Sequence, residues 1–330
     1  MPKVAINGMG RIGRAVLRIV LKTPQLELAA VNDLMPLPNL AYLMKYDSVY
    51  GRYGRKVRVQ GESLEIGEAR IPVYHEKDPA ELPWNKLGID GVFECTGVFR
   101  NEDGLQRHLS AGAGWVILSA PAKSEEIDMV VHGVNQPGAA AKMISCASCT
   151  TNCITPVVEV MGRCIGVRKA VMTTIHAYTA SQALVDGPRN KWSRGRAAAV
   201  SFVPTSTGAA RATTQILSGL EGRFDGIAVR GPVPAGSLAD IVFVTERATS
   251  EEEVNRVFRD ASRSRRYDGI LGVTEDPIVS ADVVRDPRAA IVDLTMTRVV
   301  DGDLVKVLSW YDNEWGYSSQ MVREMVRLVG

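Results

Sequence analysis

Long apolar runs are missing from this 330-residue chain. No uninterrupted stretch approaches the roughly 20 residues that a helix needs to cross a bilayer, so no membrane span is expected. A surplus of one charge is missing too. Thirty-nine Lys and Arg face 37 Asp and Glu, a formal net charge of +2, and no basic stripe with interleaved aromatics stands out. Both observations argue against a membrane surface or nucleic acid as the main partner. The opening MPKVAING runs directly into a strand-like stretch, without a basic region followed by an apolar one, so no secretory signal is expected. Five cysteines in a chain of this length do not make a disulfide framework. Histidine is scarce: His75, His108, His132 and His176 are the only four. Any imidazole chemistry must fall on one of them.

What is present is a core-forming composition, with 45% hydrophobic and 23% charged residues, on a length that suits two domains. Neither an internal repeat nor a low-complexity linker divides it. The first half alternates short β-like runs with helical stretches: strands at 3–7 and 26–32, helices at 11–22 and 38–45. Further β-like runs follow at 57–60, 64–66, 71–74, 91–95, 115–119, 129–131 and 143–145. Such alternation predicts a mainly parallel, doubly wound sheet with crossover helices. The second half carries longer β-branched runs at 170–176, 227–230, 238–245, 290–299 and 304–311, which predict a mainly antiparallel sheet. Helices are expected near 251–262 and at 315–329. The domain boundary is expected near Ser148, with a helix over 151–164 following directly.

Asn7-Gly8-Met9-Gly10-Arg11-Ile12-Gly13 contains G-x-G-x-x-G between a predicted strand and a predicted helix. Glycines there let the backbone turn tightly and approach a pyrophosphate, which the helix N-terminus then faces with free N–H groups and a positive dipole end. Asp33 follows about twenty residues on, at the end of the second strand, where a carboxylate accepts hydrogen bonds from ribose hydroxyls and repels a 2′-phosphate. The pattern points to NAD rather than NADP. The plainer reading is a glycine-rich turn with Asp33 capping a loop.

Three cysteines cluster at Cys146, Cys149 and Cys153, within Ser-Cys-Ala-Ser-Cys-Thr-Thr-Asn-Cys. The cluster suggests thiol chemistry in a reducing compartment. Cys146 and Cys149 have metal-ligand spacing, but a structural zinc wants a second paired motif, and Cys164 has no partner for one. No metal is expected. Buried free cysteines are the commonest alternative. A nucleophile fits better. Cys149 falls near the start of a predicted helix, whose N-terminus should lower its thiol pKa from about 8.5. His176 closes an apolar strand, where it can serve as the base that a cysteine nucleophile requires.

The stretch 145–153 resembles the active-site signature of the phosphorylating glyceraldehyde-3-phosphate dehydrogenase family. So do Ile6–Arg14, Ser119-Ala120-Pro121-Ala122-Lys123, His176-Ala177-Tyr178-Thr179, Ser206-Thr207-Gly208-Ala209-Ala210 and the run from Trp310 to Tyr317, in the family's order across nearly the whole chain. The resemblance implies a Rossmann-type NAD-binding domain (1–148 with a C-terminal helix, 313–330) and a catalytic domain (149–312). It implies that Cys149 attacks the aldehyde of glyceraldehyde 3-phosphate, that His176 acts as base, and that a thioester is cleaved by inorganic phosphate to 1,3-bisphosphoglycerate. Thr179, Ser181 and Arg230 are implied for the substrate phosphate, and Ser148, Thr150, Thr207, Gly208 and Arg194 for the attacking phosphate. Gly8, Gly10, Arg11, Ile12, Gly13, Asp33, Lys77, Ser119 and Asn313 are implied for NAD. Residues 180–200 resemble a loop that packs between subunits, which implies a homotetramer; the cysteine cluster and the opening stretch lead to the expectation of a cytoplasmic protein.

Departures from the family pattern are Met9 for a usual Phe, Cys95 for a usual Ser, Ser181 for Thr or Asp, and Gly231 where Val is common. Gly231 is expected to loosen the strand beside Arg230. Gly187-Pro188 resembles the NAD-preferring members. Rival readings are an erythrose 4-phosphate dehydrogenase, a semialdehyde or acyl-phosphate reductase, and a nucleotide- or RNA-binding protein on the same fold.

Overall fold

A computed structural model describes all residues, 1–330. The chain divides into two compact units: Met1–His132 with Gln136–Ala147 and Ser318–Gly330, and Gly133–Asn135 with Ser148–Tyr317.

The first unit begins β1 (Lys3–Asn7), α1 (Arg11–Val20), β2 (Glu27–Asn32), α2 (Leu37–Lys45), then a meander of β3 (Val57–Gln60), β4 (Ser63–Ile66) and β5 (Ala69–Tyr74). It continues through α3 (Trp84–Leu87), β6 (Gly91–Glu94), α4 (Glu102–Ser110), β7 (Trp115–Leu118), β8 (Asp128–Met129) and β9 (Met143–Ser145). Its nine strands lie in the order β3-β4-β5-β2-β1-β6-β7-β9-β8. Only the β3–β4 and β4–β5 pairs are antiparallel. From β1 the chain first crosses to β2 on one side and later returns to β6 on the other. The C-terminal end of β1 is therefore a topological switch point, where doubly wound sheets open a crevice for ligands. β1 and β6 are buried along most of their length, as parallel strands covered on both faces should be. Helix α4 went unread in the sequence because only Leu105 and Leu109 mark its apolar face. Asn101 starts it by accepting from the Gly104 N–H.

The second unit holds α5 (Cys149–Cys164), β10 (Val167–Ala177), β11 (Val203–Ser206), α6 (Ala209–Ile216), β12 (Phe224–Gly231), β13 (Ser237–Thr245), α7 (Glu251–Ser262), β14 (Leu271–Thr274), β15 (Ala290–Val300) and β16 (Leu304–Tyr311). The strand order is β11-β12-β10-β13-β16-β15-β14. It is mainly antiparallel, with parallel exceptions at β10–β12 and β14–β15. One face packs on α5 and α7 through a core that includes Ile154, Val158, Phe243, Phe258 and Tyr267. Helix α8 (Trp315–Val329) ends the chain. Short α6, with β11 and β14, was not legible in the sequence: α6 has no side-chain N-cap and runs for only eight residues, too few to show a clear helical period.

Candidate active site

The turn from β9 into α5 sets up the nucleophile. Ala147 adopts φ 54°, a left-handed backbone unusual for a residue with a Cβ. Its N–H donates to Ser145 Oγ at 3.0 Å, and Ser145 Oγ donates to the Ala120 carbonyl. Ser148 is the N-cap, accepting from the Thr151 N–H at 3.1 Å. Cys149 is thereby the first residue of a 16-residue helix, two positions earlier than the sequence pattern placed the start.

His176 is the penultimate residue of β10 and 5% exposed. Its Nε2 lies 3.3 Å from Cys149 Sγ. Its Nδ1 lies 2.6 Å from the Ala177 carbonyl and 2.9 Å from an Arg230 guanidinium nitrogen. Guanidinium has no lone pair to offer, and the carbonyl can only accept. The shorter contact assigns the ring proton to Nδ1, donated to Ala177 O, which leaves the Nε2 lone pair facing the thiol. Arg230 also donates to Ala177 O at 3.1 Å. The orienting group is therefore a carbonyl rather than a carboxylate.

Arg230 stands beside His176 for a simple reason: the two are register partners across the parallel β10–β12 pair. Gly231 pairs with Ala177 in the same ladder. The expected loosening does not occur, and a Cβ at Gly231 would meet nothing closer than Phe202 at 3.8 Å. Burial, together with the positive charges of Arg230 and Arg194, pushes His176 down to about 3. The imidazole is thus neutral at physiological pH. Burial also raises the Cys149 thiol, outweighing Arg230 and the Thr150 hydroxyl and N–H, which pull it down. This corrects the expectation from the helix N-terminus alone: in a half-buried pocket, desolvation of the thiolate exceeds the dipole's help. The resting pair is thiol and neutral imidazole.

Two side chains that the sequence did not single out brace this pair. Tyr311, at the end of β16, is fully buried, and its hydroxyl lies 2.9 Å from Thr150 Oγ1 and 2.8 Å from Thr174 Oγ1. It ties the first turn of α5 to β10, and its ring meets His176 edge-on at 6.0 Å. Ser237 accepts from the Ala177 N–H and donates to Asn313 Oδ1, so the Asn313 carboxamide is held with a defined orientation. Cys153, one turn past Cys149, faces Ser309 instead, and burial holds its thiol at about 12.

The remaining predicted anion ligands sit as follows. Thr179 and Ser181 hydroxyls are 2.9 Å apart. Arg194 donates to Thr205 Oγ1. Thr207 Oγ1 accepts from the Ala209 N–H, and Gly208 is the N-cap of α6, with no side chain over the helix start. The Arg230 Nε is buried without a partner, a donor that an anion would satisfy.

In the first unit, a cavity of about 670 Å³ opens at the switch point, lined by Asn7, Gly8, Gly10, Asp33, Lys77 and Thr96 among others. The glycines fit a dinucleotide for distinct reasons. Gly8 has φ 94°, and a Cβ there would meet Thr96 N at 2.6 Å; a Cβ on Gly13 would meet Gly8 O at 1.9 Å. Gly10, the N-cap of α1, has open space where its side chain would be. Asp33 accepts from the N–H groups of Met9 and Met35. Arg11 and Ile12 form the first turn of α1 without lining the cavity, and the Arg11 guanidinium turns to Asp47 at 2.8 Å. Ser119 does not line it either; its hydroxyl pairs with the Cys95 thiol. Below the loop lies a buried network missed in the sequence: Glu94 accepts from Asn7 at 2.6 Å, from Thr96 N at 2.7 Å and from His108 at 3.1 Å.

Comparison with known proteins bears on both units. Residues 2–102 match the glyceraldehyde 3-phosphate dehydrogenase NAD binding domain, and residues 148–313 match the C-terminal domain of the same family. The chain is 45% identical over 324 residues to a glyceraldehyde-3-phosphate dehydrogenase of Zymomonas mobilis, covering 97% of this chain and 96% of that one. It is 46% identical over 333 residues to one of Thermotoga maritima, covering 100% and 99%, and 46% identical over 323 residues to one of Xanthobacter flavus, covering 97% and 96%. The chain therefore belongs to the glyceraldehyde-3-phosphate dehydrogenase family of NAD-dependent oxidoreductases.

Proposed function

We propose that this chain oxidises glyceraldehyde 3-phosphate to 1,3-bisphosphoglycerate through a thioester on Cys149. The observation that carries the reading is the 3.3 Å approach of Cys149 Sγ to the His176 Nε2 lone pair, beside a guanidinium. As Sγ attacks the aldehyde carbon, its proton passes to Nε2, and the imidazolium so formed donates to the new oxyanion. That proton returns to give the hydroxyl of a thiohemiacetal. His176 removes it again as the carbon gives up hydride. NAD supplies the hydride acceptor. Attack by inorganic phosphate on the thioester then releases the acyl phosphate and the Cys149 thiolate, which recovers a proton from His176.

Arg230, Thr179 and Ser181 are proposed for the substrate phosphate, supported by the unsatisfied Arg230 Nε. Ser148, Thr150, Thr207, Gly208 and Arg194 are proposed for the attacking phosphate, supported by the uncovered N-terminus of α6. For NAD, the cavity at the switch point supports Gly8, Gly10, Asp33 and Lys77, the close packing of Gly13 on the Gly8 carbonyl supports Gly13, and the first turn of α1 supports Arg11 and Ile12. Ser119 and the oriented Asn313 carboxamide complete the set. The 180–200 loop leaves Leu184, Val185, Trp192 and Val200 largely exposed, Trp192 at 90%. Apolar exposure on that scale supports burial between subunits, as in a homotetramer. The free thiols support a cytoplasmic setting.

A progress curve of NAD reduction with glyceraldehyde 3-phosphate tests the reading. Sustained turnover should require phosphate or arsenate and should fall away with NADP. Equal turnover without either acceptor, or a clear kcat/KM preference for erythrose 4-phosphate, would overturn it.

A further inference from the structure

The near-neutral charge of the whole chain conceals one strongly basic segment. Residues 45–58 read Lys-Tyr-Asp-Ser-Val-Tyr-Gly-Arg-Tyr-Gly-Arg-Lys-Val-Arg, a basic stretch with interleaved aromatics that the composition did not lead us to expect. Its one acid, Asp47, is turned inward. The carboxylate is 3% exposed, pairs with Arg11, and accepts from the N–H groups of Val49 and Tyr50.

The five cations Lys45, Arg52, Arg55, Lys56 and Arg58 line a cavity of about 370 Å³ together with Tyr53. None of the five has a carboxylate within 4.0 Å. All five are exposed, so solvent screens their mutual repulsion, and a multiply charged anion that contacts several of them at once gains from each. Backbone hydrogen bonds from Tyr53 N to Lys45 O and from Gly67 N to Lys56 O hold the cup's shape. The Tyr53 hydroxyl is buried without a hydrogen-bond partner.

The aromatic rings decide the kind of anion. Lys45 Nζ and the Arg52 guanidinium stand 5.4 and 5.3 Å from the Tyr46 ring, and Tyr42 packs against it at 5.1 Å. The ring anchors two cations at the rim and is not left free for a base to stack on. The positive surface also ends abruptly: Glu65 lies opposite Arg58 in the β3–β4 ladder, and Glu62 and Glu68 occupy the adjoining turns. A polynucleotide wants a continuing stripe with open stacking platforms; this is a short, isolated basic cup bounded by carboxylates.

We propose that the cup binds a short chain of linked phosphates, at a site sharing no lining residue with the dinucleotide cavity. Inorganic tripolyphosphate and the phosphate tail of a nucleoside triphosphate present the same chemistry.

The test is calorimetric titration of the full-length, NAD-saturated protein with tripolyphosphate and, separately, with ATP. The comparison is an Arg55→Ser/Lys56→Ser double variant, with Arg52→Gln as a check from the opposite rim. Tripolyphosphate should bind the parent protein, about tenfold or more weaker in the double variant, and weaker again at high salt. Turnover of the aldehyde should be unchanged. ATP competing with tripolyphosphate at similar affinity supports recognition of the phosphate chain. Three results would overturn the proposal: tripolyphosphate affinity indifferent to both variants, ATP competing only with NAD, or a single-stranded oligonucleotide binding the same residues far more tightly than tripolyphosphate.

Discussion

Two buried histidines, one in each unit, are held in opposite electrical surroundings. His108, on α4, receives a hydrogen bond at Nδ1 from the Trp84 indole N–H at 3.0 Å, which assigns its own proton to Nε2 and directs it at Glu94. Both His108 and Glu94 are wholly buried, and every contact of this imidazole is with another fixed protein group. His176 has a carbonyl where His108 has a carboxylate, the Arg230 guanidinium in place of an indole, and a thiol in front of its lone pair. The first arrangement locks a proton in place and braces the loop that carries the glycines. The second leaves a neutral base with a lone pair unused by the fold. A buried histidine reads as catalytic when its acceptor nitrogen faces a nucleophile, and as structural when both nitrogens are committed.

Removing the free lone pair of His176 should have the largest effect. His176→Asn should lower kcat by about 10²- to 10⁴-fold while the KM for NAD barely moves, in steady-state kinetics. The parent enzyme carries a pH signature of the same arrangement. Because His176 is pushed down to about 3, it stays unprotonated as pH falls through the usual imidazole range. Because the Cys149 thiol is raised, the reactive pair of thiol and neutral imidazole persists on both sides of neutrality, and kcat/KM should stay level there. A separate inflection near 6.5 would show that the imidazole titrates as an ordinary histidine and would contradict the proposed resting state.

Glu94→Gln tests the other side. The new amide N–H₂ would face donors from Asn7, Thr96 or His108, leaving a buried donor unpaired at a cost of roughly 3 kcal/mol. Chemical denaturation should show that loss, and the KM for NAD should rise while the KM for the aldehyde holds. A variant as stable as the parent with unchanged NAD affinity would mean that the network does not brace the loop. The smallest effect is expected from Tyr311→Phe. The ring edge against His176 remains, but Thr150 and Thr174 lose their shared partner. A stability loss of about 1–2 kcal/mol should accompany a kcat decrease of only a few-fold.

The same contrast explains what was legible in the sequence. The glycine loop is a contiguous device: Gly8, Gly10 and Gly13 work through backbone, within one strand–turn–helix, so their spacing carries the information. Cys149 and His176 were legible because few residue types can do thiol and imidazole chemistry, and the chain offers few of either. Arg230 was reached by resemblance to a family. The physical reason it sits beside His176 is the register of a parallel strand pair, which no local pattern reveals. Tyr311, Ser237 and the Glu94–His108 network were illegible for the same cause: each joins elements far apart along the chain. The raised Cys149 thiol was misjudged because helix position is written in sequence and burial is not. The segment at 45–58 was hidden by averaging, since its cations are balanced by carboxylates elsewhere.

The most direct test of the central claim is intact-mass and peptide mapping of enzyme mixed with NAD and glyceraldehyde 3-phosphate in the absence of phosphate, then quenched in acid. A phosphoglyceroyl adduct confined to the peptide bearing Cys149, and discharged when phosphate is added before quenching, is the predicted result. No adduct during NADH formation, or an adduct shared with Cys153 or the other thiols, would contradict a thioester on Cys149.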